Sequence, residues 1–283
     1  MRCKTSRMLV KALKLTMSTS VFLALNGALV VVFACFLYGT EISFKLVLAA
    51  FLATFSVYCL NMVTDKKEDV INRSETAPKK TQYYIVASAT AMFVSLAIGL
   101  SISFSALLIL SAPLLIGCAY SIQITKSIPR LKEVVGVKSV VVALSWALTG
   151  ALLPITIQST PAYKEVLVFF YLFAQILVNT IICDALDIKG DRVSEINTVP
   201  IALGLKNTKK LLLIINGSLV VWLICCLLTG VFMNLISTLA FGVVYEYGII
   251  WYFLRRDRPR LHAELMVDGE WLPLVVLMRV FLR

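Results

Sequence analysis

The chain has 283 residues, 59% hydrophobic and only 15% charged, with a mean hydropathy of +0.89 and a net charge of +11. So apolar a composition excludes a soluble globular protein, and the positive excess reads as membrane topology with affinity for anionic membrane lipids, not as a nucleic-acid surface. Seven cysteines without a C-x-x-C pair and a single histidine, His262, leave zinc, haem and Ser-His-Asp chemistry without their usual ligands.

Apolar windows long enough to cross about 30 Å of hydrocarbon as helix run over 16–39, 43–63, 83–102, 104–124, 139–157, 163–183, 210–232 and 234–253. They are continuous rather than alternating, which predicts helices and not a barrel. The first follows Arg2, Lys4, Arg7, Lys11 and Lys14 but is too long for a secretory signal and lacks a small-residue cleavage site, so it is read as a retained helix. The second ends in NMVTDKKED, where Asn61, Asp65 and Asp69 fall at i, i+4 and i+8 on one helix face. The sixth ends in CDALDIKGDR, where Asp184, Asp187 and Asp191 form a second acidic stripe, predicted to fray into loop at Gly190.

The eighth span carries Glu246 in VVYEYGII, costly in lipid and therefore a candidate for acceptor orientation or proton removal; the alternatives are a structural, hydrogen-bonded glutamic acid or a helix set deeper than these bounds place it. The tail from Trp271 to Arg283 would rise only about 20 Å as a helix, a ninth span through thinned bilayer or an interfacial segment. The expected fold is all-α: a polytopic membrane bundle of eight to nine transmembrane helices around a central cavity, one domain over 1–283. Acidic clusters end both the second and the sixth spans, an arrangement of two four-helix units without visible sequence identity.

Of the 27 lysines and arginines, 23 fall in the N-terminal segment and the loops 64–82, 125–138, 184–210 and 254–260. With eight alternating spans these segments share one face, which the positive-inside rule makes cytoplasmic in a multi-pass protein of the cell membrane. Both acidic clusters lie on that face. Acidic residues at helix ends are commonly just solvated, and an isolated D-x-x-x-D arises often by chance. Two such clusters on one face repel each other unless a cation joins them. Hard carboxylate oxygens suit Mg²⁺, which is usually completed by substrate phosphates, so the pattern suggests a metal-diphosphate site at a membrane face.

These residues resemble the UbiA superfamily of intramembrane prenyltransferases, which carries N-x-x-x-D-x-x-x-D after the second helix and a second aspartate motif after the sixth. CDALDIKGDRVSEINTVPIALG is similar to the D-x-x-D-x-x-G-D-(R/K) segment and T/S-L-P motif of the chlorophyll-synthase-like and archaeal digeranylgeranylglyceryl phosphate synthase branches. AYSIQITK, with Tyr120 and Lys126, resembles their Y-S-x-P-P-L-K segment. The resemblance implies Mg²⁺-dependent transfer of an isoprenyl chain from a polyprenyl diphosphate to a hydrophobic aromatic or lipid acceptor. It implies metal held by Asp65, Asp69, Asp184, Asp187 and Asp191, the catalytic set being Asp65, Asp69, Asp187 and Asp191. Asn61, Arg73, Tyr120, Lys126 and Arg130 would serve the diphosphate, and Glu246 the acceptor.

Three departures set the chain apart from that pattern. Thr76 stands where a diphosphate-binding arginine is expected, Met62 where an aspartate follows the motif asparagine, and Lys189 where an acidic residue is common. Two other readings stay open beside the enzyme: a non-catalytic relative that binds prenyl diphosphate without reacting it, and a membrane lipid carrier. A carrier should place its ionisable residues near the bilayer midplane, whereas the acidic clusters sit at helix ends.

Overall fold

The structure is a computed structural model, and it describes residues 20–64, 81–121, 134–254 and 265–282. Every described span is helical. The helices are α1 (Ser20–Tyr38), α2 (Phe44–Thr64), α3 (Thr81–Ile102), α4 (Phe104–Ser121), α5 (Val137–Leu152), α6 (Ala162–Val193), α7 (Val199–Thr229), α8 (Ile236–Phe253) and α9 (Trp271–Phe281). The first eight coincide with the eight expected spans, and seven of them are long and apolar enough to cross a membrane. The eighth, α4, holds a shorter apolar stretch over Phe104–Pro113. At 11 residues, α9 rises about 16 Å, half a hydrocarbon thickness. It buries Trp271, Leu274 and Met278 and packs on α1.

Two helices are longer than their apolar windows. α6 runs ten residues past position 183 and passes through Gly190 in helical conformation, correcting the expected fraying there. α7 starts at Val199 with Pro200 in its first turn, then kinks at Gly204, whose φ of 72° and ψ of 156° are open to a residue without a Cβ. The polar ends of the bundle are therefore built from helix as well as loop.

Apolar attraction between helices is weak when lipid tails are equally apolar, so close approach through small residues and internal hydrogen bonds must supply the contact. Along α2 the buried positions are Leu46, Ala49, Ala50, Ala53, Ser56 and Cys59, and they meet Ser88, Ala91, Ser95 and Gly99 on α3. The two serines are reciprocal: Ser56 Oγ donates to the Ser88 carbonyl at 2.8 Å and Ser88 Oγ to the Ser56 carbonyl at 2.8 Å. Gly150 on α5 has the side chains of Val30 and Leu172 where its Cβ would be, which draws α1, α5 and α6 together. The largest core cluster lies among α1 and α5 to α9, where Phe33 stacks on Tyr171 at 5.7 Å and meets Trp271 edge-on at 5.4 Å. Outward positions such as Phe93, Val221 and Leu228 are exposed, as lipid-facing residues are.

Candidate functional site

The second acidic cluster sits where α5 begins beside the end of α6. Gly136, left-handed with φ of 74°, turns the chain into α5 so that Lys138 and Ser139 fall in its first turn. Spacing of i, i+3 and i+7 then lines Asp184, Asp187 and Asp191 along one stripe of a continuous α6. Lys138 Nζ lies 3.1 Å from Asp184 Oδ1, 3.0 Å from Asp191 Oδ1 and 3.2 Å from Asp191 Oδ2. Ser139 Oγ donates to Asp184 Oδ2 at 2.5 Å, and Thr180 Oγ1 donates to the Ser139 carbonyl at 3.3 Å. Asp184 and Asp191 are 4% and 1% exposed, so the lysine rather than solvent balances them. Asp187 is half-buried beside them.

The sequence pattern assigned Lys138 to the orienting charges of a loop. It is instead a partly buried partner of the acidic stripe. The one available signal was position: it directly precedes the fifth apolar window, at the level where the sixth ends.

The same helix walls a cavity. Val141, Val142, Ser145, Trp146, Thr149 and Gly150 of α5 face Asn61 and Tyr58 of α2, with Val30 of α1 and Pro113 of α4 completing a mostly apolar pocket of about 730 Å³, mouth included. Ser145 lies seven residues along α5 from Lys138, about 10 Å of rise, so the pocket extends inward from the level of the acidic stripe. Tyr58 and Trp146 meet edge-on across it at 6.0 Å.

Among the expected site residues, the structure thus joins Asp184, Asp187 and Asp191 in one stripe and puts Asn61 on the neighbouring cavity. Asp65, Asp69, Arg73, Thr76, Lys126 and Arg130 lie outside the described residues. Tyr120 belongs to α4, and its side chain is not among those described. Glu246 is fully buried on α8, close to Glu270 and on the far side of α6 from Asp184. Glu270, Asn179 and Gln175, all buried near it, carried no motif in the sequence. Among the described residues no three Asp, Glu, His or Cys side chains form a ready metal centre. A cation at the stripe would therefore need further oxygens, from a phosphate or from the 65–69 segment. The donor set, carboxylates on one stripe at the level of the cavity, is of the chemistry that suits Mg²⁺.

The class follows from this geometry: a multi-pass, all-helical membrane protein with an acidic site at one end of the bundle and an apolar cavity beneath it. The family follows from comparison. The model of the UbiA prenyltransferase family matches residues 28–268, and the chain belongs to that family. No curated protein is similar to the chain by sequence. Among solved structures, the chain is similar to a UbiA homologue from Archaeoglobus fulgidus bound to DMAPP and Mg²⁺, with 16% identity, a TM-score of 0.65 and coverage of 92% of this chain and 96% of that one. A UbiA homologue from Aeropyrum pernix K1, solved without ligand, gives 15% identity and a TM-score of 0.66, covering 91% and 97%. A digeranylgeranylglyceryl phosphate synthase gives 15% and 0.60, covering 94% and 96%.

Proposed function

We propose that the protein transfers an isoprenyl chain, within the membrane, from a polyprenyl diphosphate to a hydrophobic aromatic (quinone-precursor type) or lipid acceptor. One observation carries this reading: α5 holds the acidic stripe through Lys138 and Ser139 and, two turns further in, walls an apolar cavity through Ser145, Trp146 and Thr149. A charged head at the stripe and an apolar tail in the cavity are what such a donor presents. The solved homologues bound to DMAPP or GPP together with Mg²⁺ support the same donor chemistry.

Mg²⁺ would be held by Asp187 with Asp65 and Asp69, and would supply charge neutralisation to the diphosphate leaving group. Lys138 already balances Asp184 and Asp191, so these two orient the end of α6. Asn61, Arg73, Tyr120, Lys126 and Arg130 would bind the diphosphate oxygens and carry their growing charge as the C–O bond breaks. The apolar cavity wall then keeps water from the allylic cation while the acceptor attacks, forming the new bond and releasing its proton. The charge distribution supports placing the N-terminus and this site on the cytoplasmic side of the cell membrane.

Purified protein given geranylgeranyl diphosphate, Mg²⁺ and a pool of aromatic and lipid acceptors should release diphosphate only when an acceptor is present. Asp65→Ala and Asp187→Ala should each lower turnover by on the order of a hundredfold. Donor binding without release, whatever the acceptor, would replace this reading with a non-catalytic binder. Lys138, which satisfies two of the three α6 carboxylates, is the feature that favours that second reading.

A further inference from the structure

A second polar cluster lies across α6 from the candidate reaction site. Tyr171, Gln175 and Asn179 follow at i, i+4 and i+8 along one α6 face; Asn179 and Gln175 are turned about 140° and 180° from Asp184. The opposing stripe on α8 is Thr238, Gly242 and Glu246, again at i, i+4 and i+8. Gly242 makes the approach possible, because a Cβ there would strike Tyr171 Oη and come within 3.3 Å of Gln175 Nε2. Glu270, in the turn that leads into α9, closes the cluster: its Oε1 accepts from Asn179 Nδ2 at 2.6 Å, and its carboxyl interacts with Glu246 and Gln175.

All of these side chains are buried; Gln175, Glu246 and Glu270 are 0% exposed. Yet among the described residues five oxygens and one amide nitrogen have no hydrogen-bond partner of good geometry: both oxygens of Glu246, Oε2 of Glu270, Oδ1 of Asn179, and Oε1 and Nε2 of Gln175. The other titratable groups in range are Asp268, Tyr171 and Tyr245, so among the described residues no basic side chain balances the pair. Two buried carboxylates cannot both stay ionised without a counter-charge. A shared proton and the two N–H groups of Gln175 would supply three donors for five open acceptors. Buried carboxylate and amide oxygens in such excess form a set suited to a hard cation that sheds its water; Mg²⁺, which dehydrates reluctantly, fits less well than Ca²⁺.

We propose that Glu246, Glu270, Asn179 and Gln175 form a buried binding site for one dehydrated hard metal cation, of calcium's type, that ties α6, α8 and the start of α9 together. The site is distinct from the diphosphate site and does not depend on the reading of the latter.

The test uses the full chain in detergent at pH 8 with choline chloride as background salt, carrying Asp65→Asn and Asp187→Asn to remove the other metal ligands. The thermal unfolding midpoint is followed against CaCl₂, NaCl and MgCl₂, and bound calcium-45 is counted. A saturable rise of about 5 to 10 °C at a hundredfold excess over Kd, with one calcium per chain, is expected. A saturable response to Na⁺ instead would assign the same site to a monovalent ion. E246Q should bind no calcium and lose the rise, while unfolding no earlier than the cation-free parent, because a buried carboxylate has been removed; that separates loss of the site from loss of the fold. No saturable response to any of the three salts, or a midpoint governed by pH alone, would overturn the proposal in favour of a proton.

Discussion

Lys138→Met removes a charge but keeps the length and apolar stem of the side chain. In the wild type one ammonium serves Asp184 and Asp191 at 3.0 to 3.2 Å, and both carboxylates are almost wholly buried. Deleting one side of a buried ion pair costs about 3 to 5 kcal/mol, because the remaining charge stays desolvated. Here two carboxylates are stranded, with Ser139 alone among the described residues still donating to one of them. For a chain of this size about 3 to 5 kcal/mol corresponds to a fall of roughly 6 to 20 °C in the unfolding midpoint. The assay is differential scanning fluorimetry in detergent, with and without Mg²⁺.

Two further outcomes separate this cause from general damage. Mg²⁺ should recover part of the loss, up to about 2.7 kcal/mol at a hundredfold excess over Kd, since the vacated position would then accept a metal. Asp191→Asn placed on the Lys138→Met background should restore stability rather than lower it further, a coupling that additive damage would not produce. A Lys138→Met protein that unfolds within a degree of wild type, or that ignores both Mg²⁺ and Asp191→Asn, would refute the claim that this lysine balances the stripe.

Two other substitutions test the packing and the cavity. Ser56→Ala removes one of the two reciprocal serine bonds between α2 and α3 and should cost only about 0.6 kcal/mol; Ser56→Leu forces the same seam apart and should cost about 1 to 3 kcal/mol. Equal midpoints for the two variants in a thermal melt would show that the seam is not close-packed. Trp146→Ala, which opens the cavity opposite Tyr58, should lower transfer by on the order of ten- to a hundredfold and raise the share of free prenyl alcohol among the products. An unchanged alcohol fraction, read by chromatography of the extracted lipids, would remove Trp146 from the wall that excludes water.

Hydrophobic periodicity reports which stretches prefer lipid, and here it is an accurate guide to where helices lie. It says nothing of which partner a polar side chain meets across a helix pair, and that is where the reading from residues stops. Asp184, Asp187 and Asp191 could be placed on one stripe because helical geometry is local. The continuation of α6 through Gly190 could not be anticipated, because the polar turn that holds it is buried by packing at Lys138, 53 positions from Asp191. Lys138 counted equally well as a topology charge, since the positive-inside bias and a buried ion pair call for the same residue at the same membrane level.

Glu246 shows the complementary limit. A lone glutamate in an apolar helix is visible at once, but its environment is assembled from two α6 amides that read as ordinary span residues and from Glu270 in a segment too short to classify. What links them is the absence of a large residue at Gly242, which allows α8 to bring its carboxylate against α6. The two polar sites therefore share one structural support: α6 carries the acidic stripe on the face toward α5 and the amide pair on the face toward α8. Any cation bound behind α6 would fix the same helix whose end presents Asp187. A change at Glu246 or Glu270 would then be expected to act on the candidate reaction site through α6, without contact with the donor.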